Sequence, residues 1–162
     1  MTAVSLKKIL TDANKNNYAV AGLVVLAWDD ALAFIKAADE TGVPIILQAG
    51  PSCRAHTPVP ILGKMFRYLA EQTKTHVCCH IDHGYTFREC AEGIDSGFTS
   101  VMFDGSKLSL KDNIKKTSKI VKRAHDAKVS VEGEIGFVGY ANGKSSEGTL
   151  PIDAVTFAKE SN

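Results

Sequence analysis

No apolar run in this sequence approaches the about 18 residues that a membrane-spanning helix requires, and that excludes a helical span. The N-terminus, "MTAVSLKKILTDANKNNY", places lysines and then polar residues where a secretion signal needs an unbroken apolar stretch. The expectation is a soluble, cytoplasmic protein. Charge of one sign is also missing: with 23% charged residues and a formal net charge of +1, there is neither a basic nucleic-acid groove nor an acidic tail. The 44% hydrophobic content removes disorder from consideration. The expected partner is therefore a small molecule or another protein, not nucleic acid or a membrane.

Cysteine is present but sparse. Cys53, Cys78, Cys79 and Cys90 form no CxxC and lack the spacing of a small secreted scaffold. Reduced thiols are expected, with Cys78 and Cys79 as small hydrophobes inside a strand. Walker-type and GxSxG motifs are absent, which leaves a generic hydrolase on an open α/β sheet without support.

What is there is a repeat of strand and helix, in a chain long enough to bury roughly 70% of its unfolded surface as one domain. Ser5 caps a helix carrying Leu6, Ile9, Leu10 and Ala13 at helical spacing. "YAVAGLVVL" (Tyr18 to Leu26) is an apolar, unalternating strand covered on both faces. Asp29 or Asp30 caps the next helix, which presents Leu32, Ile35 and Ala38 and stops at Gly42. "VPIILQ" is strand two, followed by a helix opening at Thr57 and Pro58 with Leu62, Met65, Phe66 and Leu69 inside. "HVCCHI", "TSVMF" and "VSVEGE" are strands three to five. Thr86 with Glu89, and Ser109 with Asp112, have capping-box spacing for the intervening helices, and a last helix begins around Thr149 to Asp153. Five βα units predict a parallel sheet. Length suits an open doubly wound sheet; a (β/α)8 barrel needs eight strands and about 250 residues.

The ionisable residues gather at one edge. His80, Asp82 and His83 follow strand three, Asp104 follows strand four, and Glu132 and Glu134 close strand five. Parallel α/β proteins build sites at the C-terminal ends of their strands. Each residue has an ordinary explanation: a hydrogen-bonded strand-end histidine, an Asx turn in "FDGS" with Asp104 as its first member, solvated glutamates. Residues i and i+2 of a strand share a face, so His80 pairs with Asp82 and Glu132 with Glu134, but periodicity leaves open which of them point inward. Together they make a nitrogen-and-oxygen donor set suited to zinc, with an aspartate adjacent for proton transfer.

The segment "HIDHGYTFRECAEGIDSGFTSVMFDGSKLSLKDNIKKTSKIVKRAHDAKVSVEGEIG", with "PIILQAG" before it, resembles the class II, zinc-dependent ketose-bisphosphate aldolases over essentially the whole chain. That resemblance implies a TIM (β/α)8 barrel, of which residues 1–162 hold about the first five βα units and form the N-terminal part of a single barrel domain. It also implies the reversible retro-aldol cleavage of a ketose 1,6-bisphosphate, of the fructose or tagatose type, to dihydroxyacetone phosphate and an aldehyde. Asp82 matches the catalytic acid/base, His83 a ligand of catalytic Zn2+, and Asp104 and Glu134 carboxylates that hold zinc in a second, buried position. His80 is expected to support them. A homo-oligomer is usual for the family.

The departures are equally specific. Two further zinc-binding histidines and the phosphate-binding segments, which the family carries on later strands, are not in these 162 residues, so the chain is expected to be C-terminally incomplete. His125 falls on an outer helix, and His56 and His76 lie before or at strand starts. The loop expected to carry a further proton-transfer acid reads "GFVGYANGKSSEG", with Ala141 and Asn142 near its place and Glu147 as the nearest acid. Five strands leave the edges of strands one and five unpaired, which favours aggregation, dimerisation or a partner. A non-catalytic half-barrel that assembles with another chain is the alternative function.

Overall fold

The computed structural model describes residues 2–136 and 148–162. Its centre is a five-stranded parallel sheet in strictly sequential order: β1 (Ala21–Val24), β2 (Ile45–Ala49), β3 (Val77–Gly84), β4 (Ser100–Asp104) and β5 (Ser130–Glu134). Among the described residues seven helices accompany it: α1 (Leu6–Asn16), α2 (Trp28–Thr41), α3 (Pro51–His56), α4 (Val59–Gln72), α5 (Phe87–Asp95), α6 (Leu110–Asp126) and α7 (Pro151–Glu160). A doubly wound sheet must reverse its strand order to place helices on both faces. Here the order never reverses, and all the crossover helices pack on one face, as in the wall of a barrel.

The core shows this directly. Ala31, Ile35 and Ala38 of α2, Leu62 and Phe66 of α4, Cys90 and Ile94 of α5, and Ile120 and Ala124 of α6 share one buried cluster with Leu47, Cys79, Ile81 and Val101 of the sheet. Phe66 and Phe98 meet at 5.6 Å between ring centroids, tilted by 59°, an arrangement aromatic pairs favour. Gly63 lets α4 approach α5 closely, since a Cβ there would lie 2.1 Å from the Ser96 carbonyl oxygen. The opposite, inner face is set by register: Gly22, Ile46 and Cys78 align, then Val24, Gln48, His80, Ser100 and Ser130, then Met102 with Glu132 and Asp104 with Glu134. Its lower end is covered by α1, where Val4, Leu6 and Ile9 form a second buried cluster with Cys78.

Capping chemistry explains several helix starts. The hydroxyls of Ser5, Thr86 and Ser109 accept from the amides of Lys8, Glu89 and Asp112, and Glu89 reaches back to the Tyr85 amide at 3.0 Å. Gly42 ends α2 with φ of 68°, as expected of a C-terminal glycine. Other boundaries differ from the sequence reading. Strand one is four residues, not the nine of Tyr18 to Leu26, because α1 runs to Asn16 and Asn17 then turns through left-handed φ. Helix α2 starts two or three residues earlier than an Asp29 or Asp30 cap implies: Ala27 is the N-cap, and Asp30 inside the first turn accepts from the amides of Leu26 and Ala27. Helix α3 has no counterpart in the sequence reading, and it places His56 at a helix end instead of before a strand. His125 lies on α6 as expected.

All four cysteines are free and buried. Burial pushes the Cys78 thiol up to about 12, and Cys79 higher still, so neither supplies a thiolate. β1 and β5 each pair on one side only among the described residues. No helix among them is long and apolar enough to cross a membrane.

Candidate metal centre

The C-terminal ends of β3, β4 and β5 bring His83, Asp104 and Glu134 together, with one ligand atom from each lying within 4.8 Å of the others. His83 Nδ1 is 3.0 Å from Asp104 Oδ2 and 3.5 Å from Glu134 Oε2. The register pairs Asp104 with Glu134 on neighbouring strands, which settles that Glu134, two residues beyond Glu132, belongs to the same inner face.

His83 reaches this position through an unusual backbone. The β3–β4 register slips between Ile81 and Gly84, and His83 takes a φ of 51°. That left-handed conformation is costly for a residue with a Cβ and is concentrated at functional sites. Its effect is to swing the imidazole out of the strand's alternation and toward β4.

Asp104 serves two purposes. Its Oδ1 accepts from the Ser106 amide at 3.1 Å and hydroxyl at 2.6 Å, which is the Asx turn expected of "FDGS". Its Oδ2 is thereby turned to His83. Burial alone would raise the Asp104 carboxyl, but the hydrogen bonds from Ser106 and His83 outweigh it and hold the group below its ordinary value. For His83 burial pulls downward, yet the Asp104 hydrogen bond and the charges of Asp82, Glu134 and Asp104 leave the imidazole raised. Glu134 is raised, first by burial and then by Asp104.

Glu134 is also fixed from behind. Asn113 of α6 donates to its backbone carbonyl at 2.7 Å, and Thr117 donates to the Asn113 side-chain oxygen at 3.0 Å. Gly105 makes room, because a Cβ there would fall 2.1 Å from Asn113 Oδ1. The Asn113 contact escaped the sequence reading, although its place in "LKDNIKKT", one turn into the helix after the Asp104 strand, is where an inward polar residue would stand.

Asp82 lies beside Gly50 at the end of β2, where a Cβ would come 3.5 Å from its Oδ2. His80, two residues earlier and only 1% exposed, has Nδ1 at 2.9 Å from Ser100 Oγ and Nε2 at 3.5 Å from Glu132 Oε2. Burial, with His83 and Arg54 nearby, lowers it to about 4, so it is neutral at physiological pH. It joins the layer beneath the cluster and is not among the clustered donors. Glu132 is raised, mainly by burial and next by Asp82. The loop residues Ala141, Asn142 and Glu147 lie outside the described residues.

The cluster fits a divalent metal. It offers one imidazole nitrogen and two carboxylates, and Glu134 Oε2 is buried without a hydrogen-bond partner. Orphaned buried carboxylate oxygens are costly unless a cation or a proton meets them.

Residues 4–162 match the family model for class-II fructose-bisphosphate aldolase. The chain belongs to that family. Its curated relatives include the fructose-bisphosphate aldolase of Staphylococcus epidermidis strain RP62A, 37% identical over 161 residues, and that of Helicobacter pylori strain J99, 33% identical over 161 residues. The first alignment covers 98% of this chain and 54% of the relative, the second 95% and 52%. The chain thus spans about half the length of the curated relatives it matches. The same architecture occurs in the crystal structure of the YdjI aldolase from Escherichia coli K12, with a TM-score of 0.86 at 24% identity, covering 98% of this chain and 58% of that one. The fructose-bisphosphate aldolase of Campylobacter jejuni superimposes with a TM-score of 0.80 at 22% identity, covering 98% and 54%. The fold is accordingly a partial α/β barrel of the class II aldolase type, as the resemblance implied.

Proposed function

We propose that this chain supplies the acid/base and part of the zinc site of a class II aldolase that reversibly cleaves a ketose 1,6-bisphosphate, of the fructose type, into dihydroxyacetone phosphate and an aldehyde. The observation that carries this reading is the convergence of His83, Asp104 and Glu134 at one sheet edge with Asp82 adjacent in sequence.

His83 would bind zinc through Nδ1, the nitrogen turned to the carboxylates, and Asp104 and Glu134 would hold it through Oδ2 and Oε2. Zinc, when bound, supplies a Lewis acid that polarises the substrate ketone and stabilises negative charge next to it. Asp82 accepts the proton of the C4 hydroxyl; the O–H electrons become the aldehyde C=O, and the C3–C4 bond breaks toward the ketone half. In the synthetic direction Asp82 returns that proton. Asn113 and Ser106 keep the two carboxylates aimed, so that neither must reorganise when charge develops.

A second reading rests on the edges of β1 and β5, unpaired among the described residues: a half-barrel that is non-catalytic by itself or needs a partner chain. A tagatose bisphosphate is the alternative substrate, and a cytoplasmic homo-oligomer is the expected state. The deciding experiment is elemental analysis of gel-filtered protein combined with a coupled cleavage assay. Close to one tightly held zinc per chain means that another chain or further residues complete the site, and no zinc in a folded chain favours the half-barrel reading. In the complete enzyme Asp82→Ala is expected to keep zinc and abolish cleavage, whereas His83→Ala loses zinc; an active, zinc-replete His83→Ala variant would overturn the assignment.

A further inference from the structure

We infer that Arg54, on the short helix after β2, is a positioning residue that holds Asp82 and His83 in their working orientations; this rests on the functional reading above. The ladder between β2 and β3 ends with Ala49 opposite Ile81, so β3 runs on past its neighbour. The next two residues of β3 are Asp82 and His83. Where β2 stops, Gly50 is extended, Pro51 opens α3, and Arg54 emerges one turn later with its amide bonded to the Gly50 carbonyl at 3.1 Å. Its guanidinium takes the place that a longer β2 would have occupied.

The guanidinium is tied to three backbone carbonyls. It donates to Ala49 and Asp82 through Nη1 and to His83 through Nη2, the last at 2.9 Å. In a regular strand successive carbonyls point to opposite edges. For those of Asp82 and His83 to meet one guanidinium, the chain must turn between them, and the turn is the left-handed φ of His83. Arg54 therefore stabilises the conformation that carries the imidazole to Asp104 while Asp82 stays beside Gly50. The Arg54 side chain is 8% exposed, and its ion-pair partner Glu89 stands 4.0 Å away with its other oxygen engaged in the α5 cap. A buried cation with so distant a counter-ion is held chiefly by these carbonyls, and only a planar fork with five donors satisfies all three.

The test uses the 162-residue chain as wild type, Arg54→Met and Arg54→Lys. Two quantities are read: the backbone carbon NMR shifts of Asp82, His83 and Gly84, which report the left-handed turn, and Co2+ affinity by calorimetry. In Arg54→Met the three residues are expected to shift while the rest of the spectrum is retained, and Co2+ affinity to fall about tenfold or more, the range of lost support around a metal ligand. Arg54→Lys should fall less, and added guanidinium should restore part of the loss in Arg54→Met. A folded Arg54→Met with unchanged shifts and a Co2+ affinity within about twofold of wild type overturns the inference. If Arg54→Met does not fold, unchanged shifts and affinity in Arg54→Lys overturn it instead. Failure of the wild type to bind Co2+ sinks the metal reading alone; the NMR shifts still decide the role of Arg54.

Discussion

The two ends of the sheet's inner face are built from opposite materials. At the lower end Val4, Leu6 and Ile9 seal Ile46 and Cys78 with an apolar lid from α1. At the upper end β3, β4 and β5 present Asp82, His83, Asp104, Glu132 and Glu134, with a slipped register and a left-handed histidine. Between them His80 and Ser100, both almost wholly buried, bond to each other and close the apolar region from the ionic one. The lower end spends its residues on packing, and the upper end tolerates raised carboxyls, an orphaned oxygen and backbone strain. A barrel wall can hold both because each strand's register is fixed by the helix-facing side, leaving the inner side free to vary along its length.

This division can be broken from below. Ile9→Ala removes a side chain only 2% exposed from the lower cluster. It should cost about 2–4 kcal/mol in urea unfolding, while zinc content per folded chain stays at the wild-type value. Loss of zinc in the folded variant would show that the two ends are not separable.

A cut from the side tests the upper end more finely. Asn113→Ala leaves the Glu134 carbonyl and the Thr117 hydroxyl without their partner. It should destabilise by about 1–3 kcal/mol and, unlike Ile9→Ala, weaken zinc binding, measured by competition with a chromophoric chelator. Equal zinc affinity in the two variants would deny Asn113 any part in aiming Glu134.

The smallest effect is in pH. In chelator-treated protein His83 is raised above 6.5, so its contribution is complete below that value and is lost as pH rises through the raised one. Asp104 is lowered below 3.8, so its contribution is present above that value and is lost as pH falls through the lowered one. Glu134, raised above 4.5, works against stability once ionised. Thermal melts between about pH 6 and 9 should therefore decline on the alkaline side in wild type, and the decline should be absent in His83→Ala. A slope that survives the substitution would assign it to another group.

Much of the lower and helix-facing architecture was legible in the sequence, because capping hydroxyls and apolar spacing are local signals. Ser5, Thr86 and Ser109 cap the helices they were expected to cap. The sequence also located His83, Asp104 and Glu134 at strand ends, but their convergence depends on register, which no single strand encodes. Helix α3 was missed because six residues are too short for periodicity; Pro51 after an extended glycine was its one signal. Missing α3 meant missing Arg54, whose contacts reach residues 28 and 29 positions away. The left-handed turn at His83 was equally hidden, since nothing in "HIDHG" distinguishes a turning histidine from a strand residue.

The sequential strand order has a consequence for synthesis. Each βα unit pairs with the one made just before it, so the sheet can grow as the chain leaves the ribosome, at about 5–20 residues per second. Helix α1 is made first but docks late: Val4 bonds to Val77, and the Lys7 amide reaches the Ser130 hydroxyl of β5. The clustered donors arrive in the same order, on β3, β4 and finally β5. A nascent chain therefore carries the His83–Asp104 pair before Glu134 exists to complete the cluster, and the fifth strand, in emerging, finishes both the donor set above and the seating of the first helix below.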